Sequence, residues 1–172
     1  MKKSTYFLAI MVLMVAFIAL TGCGTKKEDT NAAAEDKPAL PTLVTLVNGT
    51  TEVALTADDF ADMNFELEVT EANLRKDALF GGIKLSDLMT KAGAENCSII
   101  KIIAKDKMTV EIKAEDALNY PIYIANTQNG EKIPTGEGGP VKLIFPYNQY
   151  PDLEELYKPA QWCWFVVTVE FV

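Results

Sequence analysis

The sequence predicts an α+β domain, a mixed or antiparallel sheet core carrying a few short helices. Three observations predict it. Strand-like runs outnumber helical ones, turn signals at Asn48-Gly49, Asp106-Lys107 and Asn129-Gly130 join several of them, and no stretch recurs at a fixed period.

In order, Pro41 to Val47 alternates loosely and is β-branched, which predicts a strand; Asn48-Gly49 turns the chain and Thr50 to Leu55 returns. Thr56 opens a short helix as an N-cap hydroxyl, with Asp58 and Asp59 suited to the positive helix start and Phe60 and Met63 on its buried side. Asn64 to Thr70 sets Phe65, Leu67 and Val69 against Glu66, Glu68 and Thr70, the pattern of a half-buried strand. Glu71 to Asp77 reads as a polar connection with Arg75 and Lys76, and Ala78-Leu79-Phe80-Gly81-Gly82-Ile83 follows. Lys84 to Gly93 reads as a helix with Leu85, Leu88, Met89 and Ala92 on one face and Gly93 at the stop position. Ser98 to Ala104 and Met108 to Ile112 pair across Asp106-Lys107, Ala114 to Leu118 is a brief helix, and Pro121 to Ala125 is another strand. Tyr147 to Pro159 reads as a polar excursion with three tyrosines, which on a loop mark recognition. Gln161 to Val172 reads as one long closing strand, with Trp162 and Trp164 on one face and Cys163 and Phe165 on the other.

Between these lies the stretch from Asn129 to Pro146: a turn ended by Pro134, a glycine-rich loop with Glu137, Gly138, Gly139 and Pro140, and a short apolar strand holding the single cation Lys142. One reading is an ordinary connection whose glycines permit tight turning. The other is a loop that brings backbone N–H groups close to an anion, with Lys142 beside it.

The chain's first residues predict its address. Met1-Lys2-Lys3 is a basic head, Phe7 to Leu20 is nearly all apolar, and small residues lead into Cys23. That order predicts a secretory signal over residues 1–22, and the run is shorter than the roughly 20 residues of a spanning helix. Leu20-Thr21-Gly22-Cys23 resembles the lipobox of bacterial lipoproteins, which implies cleavage before Cys23 and a diacylglycerol on its sulfur, hence a lipid-anchored protein facing outside the cytoplasm. Residues 23–40 are polar and alanine-rich with little to bury, a tether ending near Pro38 and Pro41; residues 41–172 suit one domain with one core.

Cleavage removes two of the 16 lysine and arginine side chains, leaving 14 against 24 acidic ones and a formal charge of −10. Such a surface disfavours nucleic acid, so the predicted partners are the membrane, through the lipid on Cys23, and an unidentified protein or small-molecule ligand. Cys97 and Cys163 read as two buried thiols in preference to a disulfide. With no histidine, Ser-His-Asp, Cys-His and His-liganded metal sites are excluded. The adjacent acids Asp58-Asp59, Glu115-Asp116 and Glu154-Glu155 diverge from one another and read as solvated surface.

Several pieces stand in a familiar order. Gly82-Ile83-Lys84-Leu85-Ser86-Asp87-Leu88-Met89-Thr90-Lys91-Ala92-Gly93 resembles the G-V-P-L-x-D-L-L-x-x-A-G helix of molybdopterin-dependent oxidoreductases of the sulfite oxidase type. Asn129-Gly130-Glu131-Lys132-Ile133-Pro134 and Glu137-Gly138-Gly139-Pro140-Val141-Lys142-Leu143-Ile144-Phe145-Pro146 are similar to that family's N-G-x-x-L-P and H-G-G-P-x-R-L-x-x-P. The similarity spans about Leu43 to Val172 and implies a sulfite oxidase-like molybdopterin-binding fold.

The same resemblance implies a metal-holding cysteine between Val69 and Gly82, and none is there; neither Cys97 nor Cys163 fills that place. A thiolate is the soft ligand such a metal selects. Phe80 stands for the expected tryptophan, Glu137 for the histidine and Lys142 for the arginine. Glu137 facing a pterin phosphate would repel it. The reading therefore leans away from an enzyme and from any bound cofactor. It points to a ligand- or partner-binding module with candidate site residues Arg75, Phe80, Glu137, Gly138, Gly139 and Lys142 and the tyrosine stretch. A divergent oxidoreductase holding molybdopterin through Gly138, Gly139 and Lys142 is the alternative.

Overall fold

Two five-stranded sheets carry the domain in a computed structural model that describes residues 39–172. The signal peptide, Cys23 and the tether up to residue 38 lie outside the described residues. In the first sheet the order is β2 (Thr51–Leu55), β1 (Val44–Asn48), β10 (Val166–Phe171), β5 (Ile99–Ala104), β6 (Thr109–Lys113). β1 and β10 run parallel, with Leu46 opposite Val169; every other neighbour is antiparallel. The second sheet orders β3 (Phe65–Glu71), β4 (Lys76–Lys84), β7 (Tyr123–Gln128) and β8 (Glu131–Lys132), and β9 (Lys142–Ile144) also pairs with β7. Helices α1 (Ala57–Asp62), α2 (Leu85–Lys91), α3 (Ala114–Asn119) and α4 (Asp152–Leu156) are all short. This is the α+β class, with one mixed and one antiparallel sheet, that the alternation and the hairpin signals predict.

Local chemistry explains the elements the sequence made legible. The Asn48-Gly49 hairpin pairs Asn48 with Thr51. Asp59 closes the start of α1 on Thr56, whose N–H and hydroxyl both donate to its carboxylate, at 2.7 and 2.9 Å. α2 buries Leu85, Leu88 and Met89 and is followed by Gly93 at φ +61°. β5 and β6 alternate cleanly, burying Ile100, Ile102, Val110 and Ile112.

Three expectations are corrected, and one run left unassigned finds its place. Glu71 to Asp77 is no plain polar connection, because Glu71 ends β3 as a buried residue and Lys76 already begins β4. The run Ala78 to Ile83 is the middle of β4, buried at Phe80, Gly81, Gly82 and Ile83 in succession, so it lacks the alternation that would announce a strand.

The tyrosine stretch is not an exposed recognition loop throughout. Tyr147 and Tyr157 stack on Phe145, with ring centroids 5.8 and 5.2 Å apart, and α4 lies between them. Of the three, Tyr150 alone stays half-buried at the surface. Finally, β10 begins only at Val166. Gln161 ends a 3-10 turn and Phe165 adopts φ +56°, so Trp162 to Phe165 form an irregular segment that carries the chain across the core edge.

Candidate functional site

The period-two pattern of β3, carried one step past Val69, turns Glu71 inward with Phe65, Leu67 and Val69. β9 brings Lys142 to meet it. The Lys142 Nζ lies 3.1 Å from Glu71 Oε1, and the two side chains are 0% and 1% exposed. Lys142 donates a second hydrogen bond to the Glu137 carbonyl at 3.1 Å, while the other Glu71 oxygen accepts from the Leu74 N–H. Three rings surround the ammonium: Trp164 at 5.0 Å, Phe80 at 5.5 Å and Trp162 at 5.8 Å to their centroids. Burial pulls the Lys142 ammonium below the ordinary lysine range; the charge and hydrogen bond of Glu71 act against that pull.

The loop before β9 closes over this pair. A 3-10 turn at Thr135–Glu137 leads to Gly138 at φ +92°, and the Gly138 carbonyl accepts from Phe165 N–H at 3.1 Å. A Cβ at Gly138 would stand 2.6 Å from the Trp164 ring, and one at Gly139 would stand 1.9 Å from the Ile133 carbonyl oxygen, so neither place admits a side chain. Outside, the Glu137 carboxylate accepts from Gln128 Nε2 at 2.7 Å and faces Lys76 Nζ at 3.2 Å. Gln128 and then Lys76 hold its carboxyl below the usual glutamate range. The N–H groups of Glu137, Gly138 and Gly139 bond inside the loop, to the Pro134 and Thr135 carbonyls. Those donors are used within the loop and Lys142 is matched by Glu71, so of the two readings of this loop the arrangement favours the ordinary tight connection. Two buried polar atoms around it have no hydrogen-bond partner among the described residues, Gln128 Oε1 and Trp164 Nε1, while the Trp162 indole N–H faces the Tyr147 hydroxyl.

Of the residues singled out from sequence, Phe80, Glu137, Gly138 and Lys142 meet here, and Gly139 seats the loop on Ile133. Arg75 stands apart. It is exposed in the β3–β4 turn at φ +53°, its N–H bonded to the Glu71 carbonyl at 2.8 Å. Trp162 and Trp164, read from sequence as sharing a face, both line the cluster; Glu71, Gln128 and Lys76 belong to it and were not singled out. Glu71 alone carried a signal, the continued alternation of β3.

Cys163 lies between the two tryptophans in the chain, and its Sγ faces the Trp164 carbonyl oxygen at 3.9 Å. Burial pushes its thiol up to about 12. Cys97 lies before β5, and both sulfurs are free thiols. Among the described residues no three Cys, Asp or Glu side chains gather as metal ligands.

Comparison with known proteins agrees with this architecture. The family model described as the oxidoreductase molybdopterin binding domain matches residues 46–149, more than half of the 172-residue chain. Among solved structures, the sulfane dehydrogenase SoxCD from Paracoccus pantotrophus aligns with TM-score 0.53 at 15% identity, covering 74% of this chain. The alignment takes in 37% of the SoxCD chain, so this protein spans well under half of that one's length. No curated protein matches it. At that identity the likeness speaks for the fold, and it is the sulfite oxidase-like fold that the ordered motifs imply. The chain belongs to the oxidoreductase molybdopterin-binding domain family.

Proposed function

We propose that this protein is a lipid-anchored, extracytoplasmic binding module that keeps the molybdopterin-oxidoreductase scaffold without its metal. One observation carries the reading: where the resemblance calls for a thiolate and an anion-binding arginine, the interior holds the Glu71–Lys142 ion pair. A thiolate-held molybdenum does not fit this donor set. No sulfur stands between Val69 and Gly82, and Cys163 is held as a thiol with its sulfur turned to a backbone carbonyl. A pterin phosphate near the loop would meet Glu137 and an ammonium already neutralised by a carboxylate.

The test is elemental and pterin analysis of full-length protein purified from a molybdopterin-competent host. The expected result is no stoichiometric molybdenum and no oxidised-pterin fluorescence after denaturation; either signal overturns the reading. Anchoring is tested separately, since Cys23→Ser is expected to move the protein from the membrane to the soluble fraction.

A second reading, a divergent molybdopterin-dependent oxidoreductase, draws on the unpaired Gln128 Oε1 and Trp164 Nε1, which a bound molecule with donors and acceptors would satisfy. Its signature in the same analysis is pterin that copurifies with the protein.

A further inference from the structure

A binding module needs an opening, and the Glu71–Lys142 centre is closed. An opening lies at the other end of β3, where a groove of about 390 Å³ is lined by Phe65, Lys84, Tyr120, Pro121, Gln149 and Tyr150, among others. Phe65 and Glu71 are the two ends of β3, on the order of 20 Å apart at the rise of a strand, so the groove and the buried pair are separate places. The volume falls at the lower end of the range for small-molecule sites, room for a body of one or two rings.

Its walls are held in place. Tyr120 and Tyr150 meet edge-to-face at 5.8 Å, and Phe65 is fixed edge-to-face on the buried Tyr123 at 5.2 Å. Asn148 and Gln149 both donate to the Glu68 carbonyl at 3.2 Å, which ties the tyrosine-bearing segment to β3. Of the tyrosine stretch, Tyr150 lines this groove.

Charge selects the occupant. The protein carries 24 acidic against 16 basic side chains, yet the groove's lining includes one lysine and no carboxylate. Lys84 Nζ sits 5.6 Å over the Phe65 ring. Its partner Asp87, outside the lining, is 3.5 Å away in a pair more than a third exposed on both sides, a weak surface contact that a better-placed anion displaces. Ser86, Asn119 and the two tyrosines among the lining residues bring further polar groups.

We propose that this groove is the module's ligand site and that it takes a small carboxylate with a flat apolar body, the rings holding the body and Lys84 the charge. The inference rests on the binding-module reading.

It is tested by titrating the full chain with 2-naphthoate and, in parallel, with the uncharged 2-naphthamide, followed by calorimetry and by amide chemical shifts. The expected result is saturable naphthoate binding at least ten-fold tighter than naphthamide, with shifts at Lys84, Tyr120 and Tyr150. Lys84→Met should reduce naphthoate to the naphthamide level, and Tyr150→Ala should weaken both ligands. Equal affinity for the two, shifts elsewhere, or no binding at millimolar ligand overturns the proposal. Molybdenum in the same preparation would overturn the module reading instead, and the titration distinguishes the two failures.

Discussion

Lys142 and Glu71, separated by 71 positions in the chain, face each other at 3.1 Å with no solvent contact, inside a cage of Phe80, Trp162 and Trp164. Two charges this deep cost several kcal/mol each to desolvate, and mutual attraction offsets that only while both are present. Lys142→Met should therefore destabilise the domain by about 3–5 kcal/mol in urea unfolding, by stranding a buried carboxylate. The double variant Glu71→Gln/Lys142→Met should recover most of the loss. Additive losses in the double variant would show that the pair does not act as a unit.

The loop over the pair is latched by Glu137, whose carboxyl titrates below the ordinary value of 4.5 because Gln128 donates to it and Lys76 faces it. A folded value lower than the unfolded one means that the latch contributes fully above the unfolded value and is lost as pH falls through the folded one. Trp164 rests on Gly138, so tryptophan fluorescence should change reversibly below about pH 4.5, before global unfolding. Glu137→Gln should erase that step. A step unaltered in the variant would assign it to another group.

Gly138 combines a left-handed backbone with a Cβ position only 2.6 Å from the Trp164 ring. Gly138→Ala should cost about 1–3 kcal/mol from backbone strain, and more from displacing the indole. In a Trp164→Ala background only the first part should remain, giving a coupling of about 0.5–3 kcal/mol in the double-mutant cycle. Zero coupling would mean that the two residues do not pack as described.

Burial raises both remaining thiols, Cys163 to about 12. A thiol reagent at neutral pH should label half-buried Cys97 slowly and Cys163 only after unfolding. Mass analysis without reductant should find two thiols. A mass short by two hydrogens, or rapid labelling of Cys163, would contradict the packing of that segment.

Much of the fold was legible because it is written in short-range chemistry. Thr56 and Asp59 announce α1 within four residues, Asn48-Gly49 sets the first hairpin, and the periods of α2, β5 and β6 are unbroken. β4 was hidden because a strand covered on both faces loses its alternation, and Gly81-Gly82 resembles a break where it is a close approach to β7. Tyr147 and Tyr157 look like loop residues until Phe145 is placed between them.

The chain by itself determined the α+β class, the order of motifs that marks the family, and the missing cysteine between Val69 and Gly82, since each is a matter of residue type and spacing. What only the tertiary structure decided is where the charges lie. Lys142 reads as a cation awaiting an anion and Glu71 as part of a polar connection, until β3 and β9 bring them together. Whether an ionisable side chain is a binding group or a core group depends on what faces it across the fold, and local sequence does not encode that partner.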